Sequence, residues 1–356
     1  MKILQVIPYF CFGGAETMCE NLTYGLKEKG HEVVVVSLYN EQTPISARME
    51  ASGIRILYLD KKLGLDISMV PKLKKIMKAE KPDVVHTHLD VIKYAAAAAK
   101  LAGIPKCIHT VHNMADKEAE GRIQKIINTL YFKLGWSRPV ALSPLVKQSI
   151  VDFYGLQPET VPMIFNGTDL SRCQPKETYE IGRTLKLLHI GRFNEQKNHA
   201  GLLKAYSLLR QTYPNSELCL LGDGELLEET KALAKELDLL DAVRFCGSQS
   251  NVYPFLQAAD IFVLPSDYEG MPMTIIEAMG TGLPIVATKV GGVPDMIAHE
   301  VSGLLTDCQP EMVCEACLRL AAEEGLRQKL GQRAKADSVR FSSEFMTERY
   351  LEEYRK

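Results

Sequence analysis

The sequence predicts an α/β fold made of two doubly wound, Rossmann-like parallel-sheet lobes, and three observations predict it. Strand and helix signals alternate along the whole chain, which is the pattern of βαβ crossovers. The strand runs are apolar on both faces, as in Val33-Val34-Val35-Val36, where only a strand covered on each side fits. The 356 residues are too many for one ordinary core and suit two. With 46% hydrophobic and 24% charged residues, the composition excludes a disordered or fibrous chain. No apolar run reaches the roughly 18–20 residues of a membrane-spanning helix. The first eight residues turn polar too quickly for a secretory signal.

The front lobe is expected over 1–168. Residues 2–8 form a short apolar strand, followed by a glycine turn and a helix over 15–30 that ends on Lys27, Lys29 and Gly30. Further strands fall at 31–38, 54–59, 84–88 and 106–111, with helices at 68–80 and 91–102. After Asn166-Gly167-Thr168-Asp169 a polar stretch without periodicity runs to residue 182 and reads as a linker. The second lobe, assigned to 169–342, carries strands at 185–190, 217–221, 243–245, 261–264, 284–287 and 303–305. Its helices fall at 198–212, 225–239, 252–258 and 272–280. A helical tail spans 310–356, and its last segment, 343–356, is expected to join the front lobe.

The formal net charge of −2 gives no nucleic-acid signal, although residues 1–168 hold 21 Lys and Arg against 16 Asp and Glu. Nine cysteines without an export signal read as reduced thiols, which places the protein in the cytoplasm. Cys314 and Cys317 form a lone CxxC with only Cys308 nearby; a structural zinc site needs four ligands, so small helix residues are the expected reading.

Three constellations carry chemistry. Phe12-Gly13-Gly14-Ala15-Glu16 joins the first strand to its helix, where glycines admit a close ligand and the helix start offers amides to an anion. A nicotinamide site would need GxGxxG and an acidic residue ending the second strand; here that strand ends Ser37-Leu38, so both requirements fail. A Walker loop is absent too. Gly191-Arg192-Phe193-Asn194-Glu195-Gln196-Lys197 follows the first strand of the second lobe. It sets two cations on one loop at a strand's carboxyl end, an arrangement suited to a diphosphate. The third runs from Ser266 to Met279. Its Glu269 lies in the loop before a helix opening near Pro272, Met273 and Thr274 stand where amides meet phosphate, and Glu277 lies among Ile275, Ile276, Ala278 and Met279. Carboxylates there can accept vicinal sugar or ribose hydroxyls.

Together Gly13-Gly14, His112, Arg192 with Lys197, and Glu269 with Glu277 at E-x7-E spacing resemble the family 4 retaining glycosyltransferases of GT-B architecture, bacterial polysaccharide type. Asn166-Gly167-Thr168-Asp169, Leu221-Gly222-Asp223-Gly224 and Gly291-Gly292 support the resemblance, which covers essentially the whole chain in order. It implies that Arg192 and Lys197 bind the donor diphosphate, that Gly13, Gly14, Gly222, Met273 and Thr274 belong to the donor site, and that Glu277 holds the ribose. Glu269 and His112 would contact the transferred sugar. His86 and His88, ending another strand, are assigned to the acceptor side. The implied reaction transfers a hexose or N-acetylhexosamine from a nucleotide diphosphate sugar, with a UDP-sugar expected, to a glycan or polyprenol-linked acceptor with retention.

No DxD motif occurs, so no metal and no cofactor are expected; cationic side chains and a helix start would stabilise the leaving diphosphate. The two-lobed design implies closure around the donor. Within 121–138, Ile123, Ile126, Ile127, Leu130 and Leu134 recur at helical spacing among Arg122, Lys125, Lys133 and Arg138, with Trp136 at the end. Such a stripe fits a peripheral contact with the inner face of the cytoplasmic membrane. Its commoner meaning, a helix packed on its own lobe's core, is the expectation here. A GT-B epimerase or phosphorylase, or a non-catalytic sugar-nucleotide binder, would share the lobes.

Overall fold

The computed structural model describes every residue except Phe12 and Glu120. It divides into two compact units, Met1–Thr168 with Ser343–Lys356, and Asp169–Ser342. The first unit contains β1 (Lys2–Ile7), α1 (Gly14–Glu28), β2 (Glu32–Ser37), α2 (Pro44–Ala51), β3 (Arg55–Tyr58), α3 (Met69–Glu80), β4 (Val84–His88), α4 (Ile92–Ala102), β5 (Lys106–Val111), α5 (Ala115–Glu118), α6 (Gly121–Lys133), β6 (Arg138–Ala141) and α7 (Pro144–Tyr154). Its six strands are all parallel in the order β3-β2-β1-β4-β5-β6. The valine run of β2 shows why both faces had to be apolar. Val34 and Val36 enter one core with Leu4, Val6 and Val85, while Val35 enters another with Ile7, Cys19 and Ile56.

The second unit contains β7 (Leu185–Ile190), α8 (His199–Thr212), β8 (Ser216–Leu221), α9 (Leu227–Glu236), β9 (Val243–Phe245), α10 (Tyr253–Ala258), β10 (Ile261–Leu264), α11 (Met273–Thr281), β11 (Ile285–Thr288), α12 (Val293–Met296), β12 (Leu304–Thr306), α13 (Pro310–Ala322) and α14 (Glu324–Ser338). The strand order β12-β11-β10-β7-β8-β9 repeats the first sheet's winding, so each sheet reverses direction beside its first strand. Loops after β1 and β4, and after β7 and β10, therefore flank the two switch points.

Several local expectations are corrected. The sequence reading omitted α2, α5, β6 and α7. Helix α2 is short and rests on a Thr43–Ser46 capping box, and β6 opens Arg138-Pro139, which masks an edge strand. The stretch read as a linker packs on the second unit. Lys176 pairs through its amide with the Thr281 carbonyl (2.9 Å), and Tyr179 donates to the Gly282 carbonyl (2.9 Å). Cys314 and Cys317 are buried on α13 in the second core, and no cluster of three potential metal ligands occurs among the described residues.

Helix α15 (Ser343–Arg355) belongs to the first unit. The Ser343 amide donates to the Thr168 carbonyl at 2.8 Å, and Lys106 Nζ donates to the Tyr354 carbonyl at 2.6 Å. Tyr350 and Tyr354 are buried, their hydroxyls bonded to Thr110 Oγ1 and His86 Nδ1, each at 2.7 Å. Removing the Tyr350 ring should destabilise the first unit by about 3–5 kcal/mol. Urea denaturation of Tyr350→Ala checks this: the first unit's transition moves to lower denaturant and the second unit's stays in place.

Candidate active site

In the first unit, α1 starts at the carboxyl end of β1 with Gly13 as an extended N-cap that makes no side-chain cap among the described residues. A Cβ on Gly13 would stand 2.4 Å from Glu16 Oε2, so any larger residue there would make the buried Glu16 carboxylate shift.

The histidines of β4 and β5 form an ordered polar interior. His88 Nε2 lies 2.8 Å from Gln5 Oε1, and His88 Nδ1 lies 3.0 Å from His112 Nε2. With the Gln5 oxygen as acceptor, His88 donates from Nε2 and must accept at Nδ1. His112 then carries its proton on Nε2 and turns a lone pair outward from Nδ1. Glu118 of α5 fixes the backbone here, accepting from the His112 and Asn113 amides, and its other oxygen accepts from His109 Nε2 at 3.2 Å. Burial pushes the His112 imidazole down to about 4 against the opposing pull of Glu118, and burial also lowers His86 and His88 well below 6.5.

This overturns the acceptor-side assignment of His86 and His88. Both are fully buried. His86 spends its nitrogens on Tyr354 and Thr110, and His88 spends its own on Gln5 and His112. His86 ties α15 to the sheet, whereas His88 orients His112, which is only partly buried.

In the second unit the loop after β7 is shaped by asparagines. Asn194 Oδ1 accepts from the Lys197 amide (3.2 Å), and Asn198, at φ 49°, accepts from the Gly201 amide (2.9 Å) to start α8. Lys197 is thereby aimed at Glu269, with Nζ to Oε1 at 2.5 Å. Ser266 Oγ donates to the same oxygen at 2.7 Å, and Gln196 Nε2 donates to Oε2 at 3.2 Å. Glu269 is 3% exposed, so three donors hold a buried carboxylate at the carboxyl end of β10. Arg192 is placed differently: its side chain is 59% exposed and pairs with the exposed Glu225 at 3.2 Å.

Two glycines allow this packing. A Cβ on Gly291, at φ +52°, would lie 1.6 Å from the Glu269 carbonyl oxygen. One on Gly222, at φ +143°, would lie 1.9 Å from the Gly191 carbonyl oxygen. Gly222 thus serves loop-to-loop contact. Helix α11 begins behind Pro272 without a side-chain cap, and the enclosed Thr274 Oγ1 has no hydrogen-bond partner among the described residues. The Ile275 amide donates to the Pro272 carbonyl (3.2 Å), so the amides of Met273 and Thr274 and the unspent Thr274 hydroxyl are what an anion at this end would take up. Glu277, also buried, lies on the second turn, close enough to Cys173 that its charge adds to burial in raising that thiol to about 12.

Family comparison fits both halves. Residues 12–172 match the model of Glycosyltransferase Family 4, and residues 174–337 match that of Glycosyl transferases group 1. The chain is a family 4 glycosyltransferase. A putative glycosyltransferase EpsF of Bacillus subtilis is 28% identical over 324 residues, covering 86% of this chain and 83% of its own. An Escherichia coli UDP-Gal:alpha-D-GlcNAc-diphosphoundecaprenol alpha-1,3-galactosyltransferase is 29% identical over 300 residues, covering 76% and 78%. The crystal structure of Anabaena HepE in complex with UDP and glucose superposes with a TM-score of 0.87 at 19% identity over 99% of each chain, which shows the GT-B fold.

Sequence reasoning missed the supports of this glycosyltransferase's candidate site: Gln5, His109, Glu118, Gln196 and Ser266. It also missed His189 and His199 beneath the Arg192–Lys197 loop. His199 stacks on Phe193 at 3.9 Å between ring centres, and His189 Nδ1 donates to the Val263 carbonyl at 2.9 Å. Burial pushes His189 down to about 4 and His199 to about 2. A polar residue inside an otherwise apolar strand, as in Leu187-Leu188-His189-Ile190, was the available signal.

These depressed histidines fix the sign of an acid effect. Unfolded, they take up protons near pH 6.5; folded, they stay neutral to about 4 or below. Stability is therefore complete above about pH 6.5 and declines as pH falls toward 4, by about 2 kcal/mol per histidine at pH 5. Denaturant titrations at pH 7 and pH 5 measure it, and equal midpoints would contradict the burial of neutral imidazoles.

Proposed function

We propose that this glycosyltransferase transfers a hexose or N-acetylhexosamine from a nucleotide diphosphate sugar, with a UDP-sugar as the expected donor, to a glycan or polyprenol-linked acceptor, retaining the anomeric configuration. The observation that carries the reading is the buried Glu269 carboxylate held by Lys197, Ser266 and Gln196, four residues before an uncapped helix start with an unspent Thr274 hydroxyl. The Escherichia coli relative's UDP-galactose and diphosphoundecaprenol substrates, and the UDP held by HepE, support the choice of donor and acceptor class.

In the reaction the bond between the sugar's anomeric carbon and the β-phosphate oxygen breaks, and negative charge grows on the diphosphate. Lys197, Arg192 and the first turn of α11 stabilise that charge. Glu269 accepts from the transferred sugar's hydroxyls, and Glu277 accepts from the ribose. Gly13 and Gly14 leave the start of α1 open to phosphate. His112, neutral through burial and oriented by His88, contacts the sugar without adding a positive charge beside the developing oxocarbenium. The acceptor hydroxyl attacks from the leaving-group side, and its proton passes to the departing phosphate oxygen, so no protein base is required.

Lys197→Ala should lower the transfer rate by roughly 10²–10³ at saturating donor, the scale of losing one donor to a developing anion. Turnover near wild type would remove Lys197 from the diphosphate site. Because fixed side chains supply the positive charge, transfer should continue in excess EDTA. Loss of activity in chelator, restored by magnesium, would overturn the metal-independent reading. Proton NMR of the fresh product, showing the donor's own anomeric configuration, tests retention.

A further inference from the structure

Helix α6 turns most of its apolar stripe away from the core, contrary to the expectation from its sequence; of the stripe, Ile127 alone is half-buried. Ile123, Ile126, Leu130 and Leu134 are 50–72% exposed. The reason lies in the phase of the helix. At about 100° per residue, the inward face is set by the buried Asn128 and Phe132, with Gln124 and Tyr131 beside them, and the aliphatic stripe falls on the adjoining face. Arg122, Lys125 and Lys133 each precede a stripe residue by one position, so a basic edge runs beside the apolar one.

A second apolar projection stands near it. Leu63 (91% exposed), Leu65 (70%) and Ile67 (76%) point outward from the loop between β3 and α3. This loop is built to hold that shape. The buried Asp66 accepts from the Lys62 amide (3.0 Å) and the Ser68 hydroxyl (2.6 Å), and Lys61 Nζ donates to the Gly64 carbonyl (2.7 Å). The Asp66 amide donates to Tyr94 in the first turn of α4, and Tyr131 of α6 donates to the carbonyl of the adjacent Lys93. Both projections thus flank the same turn of α4.

The charge around them is mainly basic. Residues 61–79 and 121–138 together contain ten Lys and Arg against one acidic residue, Asp66, which is turned into its own loop; of these cations Lys61 is spent on that loop and Arg138 on Glu353, and the neighbouring Asp90 is paired with Lys93. No helix of the described residues is long and apolar enough to cross a membrane. We infer that the loop 61–67 and the outer face of α6 form a two-point docking surface for an anionic phospholipid bilayer, with the aliphatic side chains entering the headgroup–acyl boundary and the lysines and arginines pairing with lipid phosphates. A protein partner would need its own acidic rim to match; a bilayer offers negative charge and apolar depth together. The inference deepens the reading of a polyprenol-linked acceptor, on which it rests for its purpose but not for its test.

The full chain is sedimented with vesicles of phosphatidylcholine alone and with vesicles of equal parts phosphatidylcholine and phosphatidylglycerol, without donor or acceptor. Binding is expected to the anionic vesicles only, and to weaken with added salt. Leu65→Glu and Ile126→Glu should each reduce the bound fraction roughly tenfold with unchanged thermal unfolding and unchanged transfer to a water-soluble acceptor. Failure to bind anionic vesicles, wild-type binding by both variants, or a solution dimer that Ile126→Glu converts to monomer would overturn the docking surface. Transfer activity is read separately, so loss of the proposed reaction with vesicle binding intact would count against the function and not against this surface.

Discussion

A parallel strand cannot be joined to its neighbour by a tight turn, and most of this molecule follows from that constraint. Each strand must be followed by a crossover before the next can pair, so every strand in a sheet ends on the same edge. Both sheets also reverse their winding direction beside the first strand. The loops released there cannot pair with each other across the sheet, and they gather much of the chemistry: Gly13 in the first unit, Lys197 and Glu269 in the second. The residues of the candidate site are far apart in sequence because crossovers of helical length separate them.

At the second unit's switch point, electrostatics and sterics support each other. A carboxylate as enclosed as Glu269 is tolerable only with donors on both oxygens, and Lys197, Ser266 and Gln196 supply them. Those donors reach it because Asn194 and Asn198 shape their loop, and because Gly291 lets its own loop touch the Glu269 backbone. Arg192 lies outside this arrangement, paired with Glu225 in solvent, where an ion pair contributes little to stability and is readily exchanged for a phosphate.

The first unit solves a different problem with histidine. Its central strands carry imidazoles in an apolar sheet, and each is made tolerable by being neutral and hydrogen-bonded: His86 through α15 and Thr110, His88 through Gln5 and His112. Only the last ring in the row, His112, reaches a partly open position. A strand-end histidine read from sequence looks the same whether it faces a ligand or a neighbouring ring, and here the neighbours decided for His86 and His88.

The sequence by itself determined the class of fold, the two-lobed plan, the strands except β6 and the family, because these depend on local periodicity and on glycine, proline and charge at fixed spacing. Val33–Val36 could only be a doubly covered strand, and Gly13-Gly14, Arg192, Lys197, Glu269 and Glu277 stand in family order. It did not show α2, β6 or α7: α2 is short and rests on a capping box, β6 is an edge strand opened by a proline, and α7 carries signals the reading left unused, a Ser143 cap, Pro144 and a closing Gly155 around Val146, Ile150 and Tyr154. Only the tertiary structure decided which way each patterned face points. Periodicity fixes that Ile123, Ile126, Leu130 and Leu134 share a face, but the rotation of α6 is set by what Asn128 and Phe132 find to pack against. Likewise, spacing placed Lys197 and Glu269 on separate loops, and only the crossing of those loops made them partners.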